Sequence, residues 1–258
     1  MIVQALDRRT RPRDTPAQRS KFARVKNAQR DYERKLRKIA RTIGDIVTGF
    51  AGPDPIASAP GIREALNRYS VIVGQWARSA GASMLVDVMK RDEAAWREVS
   101  RGMSRALADE IRTAPTGEVT RSLLEQQVEL ITSLPLEAAR RVQALAIQSM
   151  ETGARASEIA KEIMRSGEVA SSRATLIAVT ETSRASSNFL EARSLHVGSL
   201  GYIWRTSRDG DVRPLHRALE GVYIAWSDPP VAGSNGERAH AGCIYRCRCW
   251  AEPIIPGE

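Results

Sequence analysis

Five side chains with metal-ligand chemistry fall between residues 216 and 249: His216, His240, Cys243, Cys247 and Cys249. Imidazole nitrogen and thiolate sulfur are the donors that zinc takes, four at a time, in a tetrahedron. The run from His240 to Cys249 reads His-x2-Cys-x3-Cys-x-Cys, and His216 can arrive from across a hairpin. On a strand, Cys247 and Cys249 face the same side because side chains alternate. Their one-residue spacing departs from the two to four residues usual in zinc knuckles. Two other readings of the thiols stay open: small buried side chains, or a disulfide between Cys243 and one of the other two. Arg246 and Arg248 flank the thiols and are expected to lower their pKa values. Asp209, His216 and His240 are also types from which a metal-dependent hydrolase is built. However, the chain has no H-E-x-x-H, no phosphate-binding Gly loop and no G-x-S-x-G.

These residues need elements to position them. After Gly198 the composition changes: three of the five Trp and all three Cys lie beyond it. Tyr202–Thr206, Gly221–Trp226 and Arg248–Ile254 read as strands, with loop signals at Asp228-Pro229-Pro230 and Gly233–Gly236. A module of that size has little core of its own, so it must dock on the rest, be tied by a metal, or both. Upstream the spacing is helical. Phe22, Val25, Ala28, Tyr32, Leu36, Ile39, Ile43, Ile46 and Phe50 form one stripe behind a start signal at Thr15-Pro16. A second stripe runs through Leu66, Tyr69, Val73, Trp76, Ala80, Met84, Val88 and Trp96 to about Thr113, with Gly81 as a break or a close helix contact. Further helices are expected at 118–132, 135–152, 156–166 and 171–196, with Pro135 at a start and Gly167 past an end. The expected fold class is α+β, predominantly helical, with long N-terminal helices and a small C-terminal antiparallel β module. The expected divisions are 1–14 as a flexible basic lead, 15–167 as a helical region and 168–258 as the last helix with the β module.

Charge is uneven. Residues 1–41 hold 14 Lys and Arg against four Asp and Glu, while the remaining residues hold 25 against 26. The whole excess of +9 therefore belongs to one arm. Such a block is either a solvated helix face or a contact for nucleic acid or an acidic surface. The candidate DNA-contacting residues are Arg8, Arg9, Arg11, Arg13, Arg19, Lys21, Arg24, Lys26, Arg30, Arg34, Lys35, Arg37 and Lys38. No run of 18 apolar residues is present, and the first residues lack a secretory h-region, so a membrane span and a secretion signal are not expected. Three Cys in so long a chain do not make a disulfide scaffold, and a reducing cytoplasm is the expected site of assembly.

Three pieces of the chain together resemble the Mu F-like minor head proteins of tailed phages, the phage head morphogenesis family. The first is Arg173–Thr182, similar to the family's A-x-x-I-A-x-T-E helix. The second is Tyr202–Ser207 with Asp209, Val212, Arg213, His216, Leu219 and Gly221, similar to W-x-T-S-x-D-x-x-V-R-x-x-H-x-x-L-x-G. The third is His240, Gly242 and Cys247-Arg248-Cys249, similar to the closing H-P-G…N-C-R-C. Ala241 stands where the family often has Pro and Arg246 where it often has Asn, and Cys243 looks peculiar to this chain. The resemblance thus narrows the ligand set to His216, His240, Cys247 and Cys249, with zinc as the cofactor such a set takes. It implies a structural virion component rather than an enzyme. Its place would be inside the head, assembled in the bacterial host cytoplasm and in contact with the portal, other head proteins and packaged double-stranded DNA. Glu181, Trp204, Asp209 and Arg213 are expected to be structural. A DNA-binding protein outside a virion, with a zinc-stabilised C-terminal lobe, and the hydrolase are the competing readings.

Overall fold

The computed structural model describes residues 25–99, 109, 113–152 and 155–255. Helix α1 (Lys26–Ala51) buries Ala28, Tyr32, Leu36, Ile39 and Ile43 of the expected stripe, with Val47 buried in place of the expected Ile46, which is only half-buried. Its expected start near Thr15 lies outside the described residues, as does the lead before it. Phe50 turns outward at 55% exposed, and Ala51 takes the buried place instead. Gly52 at φ 55° ends the helix, and the Asp54 carboxylate then accepts the N–H groups of Ile56 and Ala57 at 2.9 and 3.2 Å.

Helix α2 (Ala59–Val99) is unbroken at Gly81. A Cβ there would lie 2.9 Å from the Gln127 Cβ, so this glycine permits a close helix contact. The second stripe is buried except at Tyr69, which is half-buried, and at Trp76, where Ala77 faces the core instead. Its expected continuation through Met103, Leu107 and Ile111 lies outside the described residues. Helix α3 (Gly117–Thr152) is one element, not the two expected, and Pro135 lies inside it. Proline costs a helix its i−4 hydrogen bond. The apolar surface on both sides of that point, from Leu123 and Ile131 to Ala138 and Val142, is buried in one core. That shared burial outweighs the local stop signal.

Helices α4 (Ala156–Met164) and α5 (Ser166–His196) meet at Arg165. Helix α5 starts before the expected Ser171, and Gly167 sits in its first turn rather than past a helix end. A Cβ on Gly167 would lie 2.7 Å from the Gly44 Cα, so α1 and α5 cross in backbone contact. Ala174, Ile177, Ala178, Ala185 and Phe189 of α5 belong to the helical core, whereas Leu190 belongs to a second core. That second core gathers Trp96 from α2 with Tyr202, Trp204, Ile224 and Trp226, so the small module docks on the helices.

The module is a three-stranded antiparallel sheet in the order β2-β1-β3, from β1 (Gly201–Arg205), β2 (Tyr223–Ala225) and β3 (Trp250–Pro253). Tyr202 pairs with Ile224 on one side and Pro253 on the other. A short helix α6 (Pro214–Ala218), opened by its proline, is an addition to the expected elements. The fold is α+β and mostly helical, with the antiparallel sheet near the C-terminal end.

Candidate metal centre and basic helix face

Strand β1 and helix α6 bring the second motif against the loop of residues 240–249. His216, on α6, is 2% exposed, and its Nδ1 lies 3.5 Å from the Cys247 Sγ and 3.4 Å from the Cys249 Sγ. The ligand atoms of these three buried residues all lie within 4.8 Å of one another. His216 Nε2 is 2.9 Å from the Ala232 carbonyl oxygen. A carbonyl only accepts, so Nε2 carries a proton, and in the neutral ring the Nδ1 lone pair faces the thiols. The cluster of His, Cys and Cys is one that can bind a metal.

The hydrogen bond from Cys249, with a further one to His216, holds the Cys247 thiol down to about 4. The same bond to Cys247 pushes Cys249 upward, and the bond to Cys247 raises His216 above the ordinary histidine value. Arg246 and Arg248 are not the cause, contrary to expectation. Arg248 turns away to Asp209 and Asp211, at 2.9 and 3.1 Å.

His240 does not join this cluster. Its Nδ1 meets the Tyr202 hydroxyl at 3.2 Å, its Nε2 lies 3.8 Å from Glu191, and its ring packs edge-on against Tyr202 and Trp226. The chain turns just after it at Gly242, where φ is 88°. The expected four-ligand set is thus three, and the hydrolytic grouping of Asp209 with both histidines is not assembled. Cys243 is also apart, with its sulfur 3.9 Å from the Asn188 side-chain oxygen, and burial pushes its thiol up to about 11. All three cysteines are free.

Several other motif residues tie the closing loop to the rest of the fold. Asp209 accepts Arg248, and Arg213 donates to the Tyr245 carbonyl at 2.7 Å. From α5, the Thr180 hydroxyl accepts the Arg246 N–H at 3.3 Å, and Ser187 donates to the Ala241 carbonyl at 2.5 Å. Glu181, buried, accepts from Gln127 at 3.2 Å and pairs with Arg184 at 2.9 Å, which in turn donates to the Cys243 carbonyl. Tyr32 completes this chain by donating to Gln127 at 2.8 Å, a link from α1 that sequence spacing alone does not reveal. Trp204 is fully buried, and its ring meets His216 edge-on at 5.5 Å between centroids. A cleft of about 470 Å³ lies between α5, the start of α1 and the module, with Cys249 in its wall. The arginines lining it are paired with acids: Arg205 with Glu252, Arg208 with Glu220 and Arg248 with Asp209.

The second candidate surface is the solvent face of α1. Lys26, Arg30, Arg34, Arg37 and Arg41 recur every three or four residues, opposite the buried stripe, and all are exposed, as is the neighbouring Lys38. They span about 22 Å of helix. Arg34 pairs with Asp31 at 2.5 Å and Arg37 with Glu33 at 2.8 Å. Arg41 is not among the expected contacts, although its spacing places it in the stripe. Lys35 leaves the set, because it is half-buried and donates to Ser83 on α2 at 2.7 Å. Arg8, Arg9, Arg11, Arg13, Arg19, Lys21 and Arg24 lie outside the described residues. No described helix is long and apolar enough to cross a membrane.

Residues 140–252 match the family model described as Phage Mu protein F like protein. An uncharacterized protein of Haemophilus influenzae is 27% identical over 146 residues, which are 56% of this chain and 32% of the relative. The chain therefore spans about a third of the length of that relative. No solved structure matches. The matched segment runs from the second half of α3 to β3 and takes in the module with its Cys–His cluster, so this part of the chain is similar to the Mu F-like proteins.

Proposed function

We propose that this protein is a structural component of a phage head, a minor capsid protein acting in head morphogenesis. The family match over the module carries this reading. The module's own chemistry agrees with it. Its motif residues bond to one another and to α5, and His216, Cys247 and Cys249 are buried, so they serve to hold loops rather than to meet a substrate. In that role the Cys–His cluster takes zinc as a clamp, with no catalytic part.

The protein lies inside the head, near the portal, with the basic face of α1 toward packaged DNA. Phosphate neutralisation needs no base contacts, and the stripe of Lys26, Arg30, Arg34, Arg37 and Arg41 offers cations in a row. Because the opposite face of α1 is core, removing residues 1–41 would destroy the helix bundle and is not a clean test. Substituting Arg30, Arg34, Arg37 and Arg41 by Gln leaves the core intact. The expected result is weaker duplex binding, with a salt slope reduced by about 0.9 for each phosphate no longer neutralised. Unchanged affinity and slope would assign the stripe to a protein surface instead. The head reading itself is tested by mass spectrometry of purified particles. Absence of the chain from them favours a DNA-binding protein outside a virion.

A further inference from the structure

We infer that His216, Cys247 and Cys249 form a three-ligand centre for one zinc ion, with His216 bound through Nδ1 and neither His240 nor Cys243 taking part. A tetrahedral zinc ion has metal–sulfur bonds of about 2.3 Å and metal–nitrogen bonds of about 2.0–2.1 Å, which gives a sulfur-to-nitrogen edge of about 3.6 Å. The two such edges here are 3.5 and 3.4 Å. Two of the three edges of the donor triangle therefore match, and the sulfurs lie within 4.8 Å of each other.

The surroundings of the three residues are those of a metal site. The Ala232 carbonyl holds the proton of His216 on Nε2, which orients the ring and leaves Nδ1 free to bind. Trp204 supplies the second support. Its ring packs edge-on against His216 at 5.5 Å between centroids and helps to fix the imidazole. The Cys249 N–H, 3.4 Å from the Cys247 sulfur, favours the thiolate that a metal requires. Both thiols bind as thiolates and give their protons to solvent. Cys249 also lies in the wall of the cleft of about 470 Å³. The ion joins α6 to the loop that closes the module. This does not rest on the head-protein reading, and its failure would leave that reading intact.

The test uses the full-length, reduced protein, stripped with a chelator and titrated with zinc and with cobalt(II). One equivalent of either should bind, and cobalt should show thiolate-to-metal charge-transfer absorption with the intense visible bands of a tetrahedral ion. His240→Asn and Cys243→Ser should keep both signals. His216→Asn should weaken binding by at least about tenfold, and Cys247→Ser with Cys249→Ser should abolish the charge-transfer band. A reduced wild-type protein that binds no stoichiometric ion, or binds one without sulfur charge transfer, overturns the proposal however the variants fold. Loss of binding in His240→Asn or Cys243→Ser, with the helical spectrum retained, overturns the ligand set.

Discussion

Arg246 sits one residue before the first zinc-type thiol with φ at 52°, in the left-handed region. A long side chain there costs about 1–2 kcal/mol, whereas asparagine visits this region readily. The related proteins' pattern, with Asn at this position, thus has a conformational reason: the turn must present Cys247 to His216. Arg246→Asn is expected to stabilise the protein by about 0.5–1 kcal/mol, read as a higher denaturant midpoint at unchanged slope. An unchanged or lower midpoint would mean that the Arg246 side chain compensates for its backbone. His216, Cys247 and Cys249 are legible as metal-ligand types, although the thiols lie just before β3 rather than on a strand. His240 is misplaced by spacing alone, because its partners Tyr202, Glu191 and Trp226 come from distant parts of the chain. The Ala241 N–H, 3.2 Å from the Tyr202 hydroxyl, is a bond that a proline at that position would forfeit.

At the scale of elements, α2 and α5 are pinned by Asp92 and Arg193, 2.7 Å apart and each side chain 3% exposed. Burial pushes the Asp92 carboxyl up to about 6, although the Arg193 guanidinium pulls it down. A raised folded pKa means that the protonated form is favoured in the folded chain. Its contribution is complete below the ordinary carboxylate value near 4 and is lost as pH rises through about 6. The stability of the wild type minus that of Asp92→Asn should therefore fall by about 2–3 kcal/mol between pH 4 and pH 7, in denaturation at each pH. A difference that rises with pH would show that the pair prefers to be ionised. This pair is illegible in the sequence because its members are 101 residues apart and each lies in an ordinary run of helical charges. The strands are legible because aromatic and β-branched residues cluster after Gly198. Helix α6 is only five residues long, too short for a periodic pattern to show. At Pro135 the local signal is a stop, but the common core of the two half-helices overrides it.

Over the whole molecule, two cores share α5, and the loop of residues 240–249 is fastened to three separate places. Thr180 and Ser187 hold it from α5, Arg213 and Asp209 from the turn after β1, and His216 from α6. Thr180→Val removes the acceptor for the Arg246 N–H and keeps the side chain's shape. Amide exchange should then quicken in residues 240–249 while α1, α2 and α3 keep their protection. Faster exchange throughout would show instead that loop and helices open together. The helix-first layout is legible from periodicity, and so is the need of a small module for support, but not the fastening points, which depend on where distant side chains meet. Those fastenings also set an order in time. The contacts between Thr180 and Arg246, and between Arg213 and Tyr245, span 66 and 32 residues and cannot form until the last part of the module has left the ribosome. The helices can meanwhile collapse on contacts already made. Until Cys249 emerges, Tyr202, Trp204 and Trp226 lack part of their cover, so the nascent chain carries a sticky aromatic patch. Closure of the module thus registers that the chain through Cys249 has been made, and any shorter nascent form keeps the aromatic patch partly uncovered.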